Sequence, residues 1–430
     1  MKRRSFLKYT IPSVIIPALV GGFKLQAFAG DLMVHSLLST ATNDRVLVVI
    51  QLAGGNDGLN TVIPIEYYAD YKNARSNIAI VESKILKLNG NDKTGLNPGM
   101  LAMQQLFNEE KLAIVQAVSY PKPNFSHFRA TDIWLSGEES NQVLNTGWMG
   151  RYLNYLYPDF PANYPNNTMP DPLAIQIGSV VSPALQGPSF PMAMAISNPD
   201  SFYKMLNEKH LNGDASPSLD QIDFIRQISE KTDAYSDVIK KAAQKITKQS
   251  EKFAEKGKNP LSDQLKIVSR LIAGGLQTKI YMVSMGGFDT HAKQTEVDDT
   301  SKGAQATLLQ KVSEAIYAFM DDLKLQNTEN RVVGMTFSEF GRRIKSNASG
   351  GTDHGSAAPV FVFGKPVQSG IIGVNPLLVQ NAIVNENIPM QNDFRAVYAT
   401  LLTNWLDVSK TELPSILQSN FNLLPLIKSA

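Results

Sequence analysis

Short apolar runs rich in β-branched residues alternate with helical patterns along this chain, and that alternation constrains the fold more than any other feature. The runs predicted as strands are residues 45–53, 111–119, 173–177, 279–285, 331–337 and 359–363. Near-continuous apolar strands of this length are typical of a parallel sheet buried on both faces. The sequence therefore predicts an α/β fold with a mainly parallel sheet and helices on both faces.

Three segments carry helical patterns between the predicted strands. Residues 262–274 place apolar side chains on one face and end in glycines, which is a stop signal, and residues 304–325 carry a longer apolar stripe. A segment at about 214–258 is charged and sparsely apolar. It is interpreted either as a surface helical hairpin or as a helical cap inserted over a cleft.

The composition excludes several classes of protein. The 430 residues carry 41 Lys and Arg against 39 Asp and Glu, without a long basic run, so nucleic acid is not expected as a partner. The chain contains no cysteine. Disulfides, thiolate metal ligands, Fe–S clusters, a cysteine nucleophile and a lipoprotein anchor are therefore excluded together.

The first 29 residues have the pattern of an export signal. Arg3 and Arg4 precede an apolar run at 9–23, and an Ala-Phe-Ala cleavage pattern follows at 27–29. The arginine pair followed by Phe-Leu-Lys looks like a twin-arginine signal. We therefore expect the twin-arginine export machinery as a partner, and residues 30–430 as a single domain in the periplasm or outside the cell, with no stable membrane anchor after cleavage. A plain secretory signal or an N-terminal anchor is the alternative.

Polar residues collect in the loops around the ends of the predicted strands. In open α/β sheets, ligands bind beyond the carboxyl ends of the strands, so these loops are expected to converge on one site. Each loop alone also has a plainer explanation, as a turn, a helix cap or an i,i+3 pair on a helix. The loops hold Asp57, Ser126 with His127, Asp289 with His291, Glu339 with Arg342, and Asp353 with His354.

The residue types in these loops suit divalent metal ions. Carboxylate and imidazole ligands without sulfur are compatible with Zn²⁺, Mn²⁺, Mg²⁺ or Ca²⁺. Two such ions can stabilise the entering and leaving oxygens of a phosphoryl transfer. Ser126 precedes a predicted helix, where the helix dipole and free N–H groups favour an anion, and a hydroxyl beside a metal ion can ionise and attack phosphorus.

Several blocks of the chain resemble domain-of-unknown-function family 1501. The blocks include LAGGNDGLNTVIP at 52–64, GGFDTHAKQ at 286–294 and DFRAVYATLLTNWL at 393–406, and the resemblance runs from about Arg45 to Leu406. That family is sulfatase-like and lies in the alkaline-phosphatase superfamily. The resemblance therefore implies an alkaline-phosphatase-like three-layer sandwich.

The resemblance also implies roles for the loop residues. It implies an exported metal-dependent hydrolase of phosphate, sulfate or phosphonate esters, with Ser126 as the nucleophile and Arg129 or Arg342 neutralising the substrate oxyanion. No histidine follows His354, where the superfamily has a late ligand, so Glu339 or His127 is expected to substitute. The expected ligands of one or two divalent ions are Asp57, Asp289, His291, Asp353, His354, Glu339 and His127.

The alternative belongs to a different class of protein. An exported binding or assembly protein without catalytic activity would retain the fold, with or without a structural metal ion. The missing late histidine favours this alternative, whereas Ser126 and the Asp353-His354 pair favour the hydrolase.

Overall fold

The computed structural model describes residues 18–20, 23–25, 43–197, 234–378 and 382–429. Strands β1 (Ala18–Val20) and β2 (Phe23–Leu25) form an antiparallel pair. The remainder of the predicted signal peptide lies outside the described residues. Within the described ranges, no helix has both the length and the apolar character that crossing a bilayer requires. Residues 45–430 cluster as one compact unit.

Two sheets are built from the other strands of the described residues. The small one is antiparallel and consists of β4 (Val62–Pro64), β5 (Leu86–Leu88) and β6 (Asn91–Leu96). The large one has nine strands: β3 (Val46–Leu52), β7 (Leu112–Ser119), β8 (Ala174–Ile177), β9 (Met194–Ile196), β10 (Ile280–Met285), β11 (Val332–Phe337), β12 (Ala358–Phe363), β13 (Gly370–Ile372) and β14 (Asn392–Asp393).

The large sheet is mainly parallel, as the sequence predicts. Its order is β13-β7-β12-β11-β3-β10-β8-β9, and β14 also pairs with β7. Strand β12 runs antiparallel to both of its neighbours, β11 and β7, whereas the other pairings in this sheet are parallel. The loop before β12 therefore lies at the same edge of the sheet as the loops that follow β3, β7, β10 and β11.

Helices cover both faces of the large sheet, so the predicted three-layer α/β architecture is confirmed. Alternate residues of β3 show this: Val46, Val48 and Ile50 belong to one core cluster, and Leu47 and Val49 belong to another. The helices are α1 (Tyr68–Ala74), α2 (Leu101–Asn108), α3 (His127–Ser136), α4 (Trp148–Leu156), α5 (Pro260–Ala273), α6 (Ala304–Leu325), α7 (Phe394–Thr400), which continues as a π-helix at Leu401–Trp405, and α8 (Leu413–Leu417).

The predicted helices at 262–274 and 304–325 correspond to α5 and α6. Both pack with α2 against one face of the sheet, and α3, α4, α7 and α8 pack against the other. This arrangement follows from the apolar stripe of each helix, which has to be buried against the apolar strands.

Residues 198–233, which hold the first part of the predicted cap, lie outside the described residues. The described part forms a helical segment at 234–245 with Ile239, Ala242 and Ala243 in the core cluster of α5 and α6. Arg270 of α5 donates to the carbonyl of Ala243 at 2.7 Å. This portion therefore packs on the helical layer.

Candidate metal centre

A cluster of four side chains lies where the strand-end loops meet. The Nε2 atoms of His127, His291 and His354 surround the carboxylate of Asp289, at 3.5, 3.1 and 3.4 Å from its nearer oxygen. The Nε2 atoms of His291 and His354 lie 2.8 Å apart. Asp289 and His291 come from one loop, His354 comes from another, and His127 is the first residue of α3, so only the folded sheet brings them together.

Two of the three imidazole rings are held through their other nitrogen. His127 Nδ1 lies 2.8 Å from Glu339 Oε1, and His354 Nδ1 lies 2.8 Å from the carbonyl oxygen of Phe125. An acceptor on Nδ1 keeps the proton there and leaves Nε2 as a free lone pair, which is the tautomer that a metal ion requires. Phe340 packs against both rings, at 4.9 and 4.5 Å between centroids.

The third ring, that of His291, faces a carboxylate in the same way. Its Nδ1 lies 3.3 Å from Asp353 Oδ1, and the Asn347 amide donates to the same oxygen at 3.0 Å. The hydrogen bond from Asn347 and the neighbouring His291 hold the pKa of Asp353 below its ordinary value, although burial opposes them. Asp353 is thereby kept as an acceptor for His291.

Glu339 is the buried carboxylate of the site. Its side chain is only 2% exposed, and Oε1 accepts from the backbone N–H of Gly54 at 2.9 Å as well as facing His127. Ser338 stands beside it and accepts from the N–H of Asn56 at 2.9 Å. Glu339 therefore orients His127 and ties the loop after β11 to the loop after β3.

Arg342 holds Asp289 from the buried side of the cluster. The guanidinium has no exposed surface and donates to Asp289 Oδ1 at 2.7 Å. Burial raises the pKa of Asp289, but the hydrogen bond and charge of Arg342, together with His291 and His127, outweigh it and lower that pKa. These contacts favour the ionised carboxylate of Asp289, which is the form that can ligate a metal ion.

His354 is held in its neutral form. Burial lowers its pKa first, and the nearby charges of Arg342 and His127 act in the same direction, against its hydrogen bonds to Phe125 and Asp289. Neutral imidazole is the form that ligates metal.

The donor atoms fit a divalent ion. A tetrahedral site with bonds of about 2.0–2.1 Å places its ligand atoms ~3.3 Å apart. Asp289 Oδ1, His291 Nε2 and His354 Nε2 are separated by 2.8, 3.1 and 3.4 Å, and the ligand atoms of His127, Asp289 and His354 lie within 4.8 Å of one another. A donor set with two imidazoles and one carboxylate, and a third imidazole beside it, suits Zn²⁺ better than Mg²⁺ or Ca²⁺, which prefer oxygen ligands.

Asp57, also expected as a ligand, faces a different partner. It is buried, and its carboxylate receives Arg75 Nη1 at 2.9 and 2.7 Å and Gln294 Nε2 at 2.7 Å. Arg75 is itself completely buried. The structure therefore holds Asp57 in a buried ion pair and does not turn it toward the three histidines.

The nucleophile and oxyanion candidates occupy three different environments. Ser126 is exposed, directly precedes α3, and its hydroxyl makes no capping hydrogen bond. Arg129 donates to Glu138 and to the carbonyl of Gln142, beyond the far end of the same helix, so it is not directed at the cluster. Because Arg342 is buried, it meets Asp289 and not the solvent side where a substrate would lie.

The glycines around Asp353 and His354 serve loop packing. A Cβ at Gly351 would overlap the carbonyl groups of Thr290 and His291, and one at Gly355 would overlap the backbone of Arg342. The loop before β12 thus contacts the loop after β10 backbone to backbone. This close approach brings His354 to His291.

Sequence reasoning missed the residues that support the ligands. Arg75, Asn347 and Gln294 contact Asp57, Asp353 and the ligand loops only through the tertiary fold. No local spacing links Arg75 to Asp57, because α1 lies between them in the chain. Gln294 lies in the same sequence block as His291, at 286–294, and this proximity is the one sequence signal that could have indicated its role.

Two comparisons relate this chain to known protein sequences. The profile of the family described as Protein of unknown function (DUF1501) matches residues 117–405, a range that includes all four clustered residues. No curated protein matches the chain.

Solved structures similar to the chain include sulfatases and other esterases. The PsFucS1 sulfatase from Pseudoalteromonas sp. is 10% identical, with 91% of this chain and 73% of that chain covered and a TM-score of 0.38. A protein in the alkaline phosphatase superfamily from Vibrio parahaemolyticus is 11% identical, with 85% and 67% covered and a TM-score of 0.36. The phosphonate monoester hydrolase SpPMH from Silicibacter pomeroyi is 8% identical, with 84% and 73% covered and a TM-score of 0.35.

We expect Asp57→Ala to destabilise the protein whether or not metal is present. Removing the carboxylate leaves Arg75 buried and without its charge partner, which costs about 3–5 kcal/mol of unfolding free energy. Urea unfolding in the presence of a chelator measures this loss, with the exposed Asp353→Ala as the control, for which about 1 kcal/mol or less is expected. A stable Asp57→Ala protein would show that the Arg75 pair is not structural.

Gly351→Ala is expected to disturb the contact between the two ligand loops. The added methyl group meets the carbonyls of Thr290 and His291, and overpacking of this kind costs about 1–3 kcal/mol. Gly286→Ala is the matched control, because a Cβ there meets nothing within 4 Å. Thermal unfolding measures the stability of both variants, and Gly351→Ala is expected to unfold at the lower temperature. Equal stability of the two variants would contradict the packing role of Gly351.

Proposed function

The chain belongs to the DUF1501 family, proteins of unknown function, and we propose that it is a metal-dependent hydrolase of phosphate esters or of related sulfate and phosphonate esters. The observation that carries this proposal is the cluster itself. Three imidazole Nε2 atoms face one carboxylate, and each Nδ1 is held by an acceptor. A ligand set that is oriented and open to solvent fits a catalytic ion, because a structural site is normally closed.

The cluster is accessible, as catalysis requires. The side chains of Asp289 and His291 are 46% and 44% exposed, and that of His127 is 34% exposed. A divalent ion bound here would supply positive charge to the ester oxygens and lower the pKa of a hydroxyl beside it. The nucleophile and the groups that bind the ester oxygens would come from the protein itself.

Ser126 is proposed as the nucleophile. Its hydroxyl is exposed, it is adjacent to His127 in sequence, and no capping bond occupies it. In the first step the bond from Oγ to phosphorus or sulfur forms while the bond to the alcohol oxygen breaks; the hydroxyl proton passes to solvent and the alcohol leaves protonated. Water then cleaves the new bond, releases the acid and restores the hydroxyl.

The first turn of α3 is proposed to hold the ester oxygens. The first N–H groups of any helix have no partner within it, and the side chain of Ser126 does not cap those of α3. These N–H groups take the place of Arg129 and Arg342, which the sequence predicted to neutralise the substrate oxyanion. The guanidinium groups of both arginines are paired with carboxylates of the protein. In this proposal Arg342 acts by holding Asp289.

One ion per chain is proposed. His127, Asp289 and His354 place one set of donor atoms within 4.8 Å of one another, and His291 lies beside Asp289 and His354. Asp57 is paired with Arg75 and is not available to a second ion. We also propose that the protein is exported through the twin-arginine route, on the strength of Arg3-Arg4 and the apolar run that follows.

The second candidate is a binding or assembly protein without catalytic activity, with or without a structural ion. The buried Asp57–Arg75 pair favours it, because a carboxylate that the resemblance implies as a ligand is committed to the protein interior. The two candidates differ in whether bound metal is accompanied by turnover.

Purified protein is expected to bind one Zn²⁺ or Mn²⁺ and to hydrolyse at least one member of a panel of phosphate, sulfate and phosphonate esters. His354→Ala should lose the metal, because His354 belongs to the set of close donor atoms and also contacts His291. Metal analysis by mass spectrometry gives the stoichiometry. Metal without turnover on the whole panel would support the non-catalytic candidate, and a protein that binds neither ion would contradict the metal-dependent hydrolase.

Ser126→Ala separates the nucleophile from the metal centre. We expect the variant to retain its metal and to lose at least ~1000-fold in kcat, equivalent to about 4 kcal/mol of transition-state stabilisation. Ser349→Ala, an exposed serine in the loop before β12, is the control and should keep full activity. Unchanged turnover in Ser126→Ala would remove Ser126 from the mechanism and leave bound water as the nucleophile.

A further inference from the structure

Gln294 lies buried between the two loops that carry Asp289, His291 and His354. Its Oε1 accepts from the hydroxyl of Thr290 at 2.9 Å and from the hydroxyl of Thr352 at 2.9 Å. Thr290 separates Asp289 from His291 in the sequence, and Thr352 directly precedes Asp353. One amide oxygen therefore joins the two ligand loops.

The other end of the amide is fixed by acceptors. Gln294 Nε2 donates to Asp57 Oδ2 at 2.7 Å and to Gln305 Oε1 at 2.9 Å. A carboxylate only accepts, so Nε2 has to face Asp57, and Oε1 has to face the two threonines. All four hydrogen-bonding positions of the amide are used, and Arg75 in turn holds Asp57.

Backbone pairing brings the same loops together around this side chain. The N–H of Thr352 donates to the carbonyl of Thr290 at 3.2 Å, and the N–H of Gln294 donates to the carbonyl of Gly350 at 2.8 Å. The two hydroxyls on one buried oxygen add a side-chain constraint to this backbone pairing and so help to fix the spacing between the loops.

We propose that Gln294 is a positioning residue for the metal centre: it sets the separation between the Asp289–His291 loop and the Asp353–His354 loop, and thereby the affinity and geometry of the bound ion. The inference rests on the proposed function, because it assumes that the cluster holds a metal. Gln294 contacts none of the four clustered residues through its side chain, and Thr290 and Thr352 connect it to the two loops that carry them.

Gln294→Met tests this role by keeping the length of the side chain and removing its hydrogen bonds. The expected result is Zn²⁺ binding weaker by about 10–100-fold, the usual cost of removing a support outside the ligand shell, and a changed visible absorption spectrum of the Co²⁺-loaded protein. Titration calorimetry and absorption spectroscopy measure these effects without reference to activity. Gln176→Met is the matched control, because Gln176 is also buried but lies on β8.

Thr290→Val and Thr352→Val keep the inference testable if Gln294→Met does not fold. Each removes one hydroxyl from Oε1, and each is expected to weaken Zn²⁺ binding and alter the Co²⁺ spectrum. In the Gln294→Met background, neither should add a further loss, because both act through the same amide.

The outcomes separate the two proposals. Wild-type protein that binds no Zn²⁺, Mn²⁺ or Co²⁺ would overturn the metal centre itself. Wild-type protein that binds metal, together with Gln294→Met, Thr290→Val and Thr352→Val proteins of unchanged affinity and spectrum, would overturn the positioning role and leave the metal centre standing. A loss of thermal stability without any change in affinity or spectrum would also overturn it.

Discussion

The buried guanidinium of Arg342 donates hydrogen bonds to the carbonyls of Gly54, Gly55, Phe288 and Thr352 and to the carboxylate of Asp289. These acceptors belong to three loops, which follow β3, follow β10 and precede β12. A buried charge with unmet hydrogen bonds costs several kcal/mol, so the chain is stable only when all three loops bring their oxygens to this one group. The position of Asp289, and hence of the whole cluster, depends on that requirement.

A second buried network supports the same loops. Arg75 and Asp57 form its charged end, and Gln294 forms its neutral end between Thr290 and Thr352. Acceptors on Nδ1 orient the rings of all three histidines. Side chains supported on several sides are already held in place, and such preorganisation would raise the affinity of this cluster for an ion, because less freedom would be lost on binding.

The secondary structure was predictable because its causes are local. The run from Val46 to Leu52 is apolar at nearly every position, and the stripe along Ala304–Leu325 repeats at helical spacing. The clustering of His127, His291 and His354 was also predictable, because parallel strands bring their carboxyl ends to one edge. The antiparallel direction of β12 was not predictable, since an apolar strand has the same pattern in either direction.

The roles of the charged residues were harder to predict, because a charge takes its role from its partner. Asp57 follows a strand just as Asp289 does, and the sequence around each gives both the same prediction. In the folded protein, Arg75 contacts Asp57, whereas three histidines surround Asp289. Arg129 and Arg342 differ for the same reason. Arg129 pairs with Glu138 beyond the far end of its helix, whereas Arg342 pairs with Asp289.

By itself, the sequence determined the α/β class, the edge of the sheet at which the site lies, and the residue types available there, because periodicity and strand-end position are properties of neighbouring residues. Only the tertiary structure decided which carboxylate joins the histidines, which one pairs with an arginine, and how two loops are held at a fixed spacing by Gln294. Those outcomes depend on contacts between residues far apart in the chain, where differences of an ångström separate a ligand from a buried ion pair.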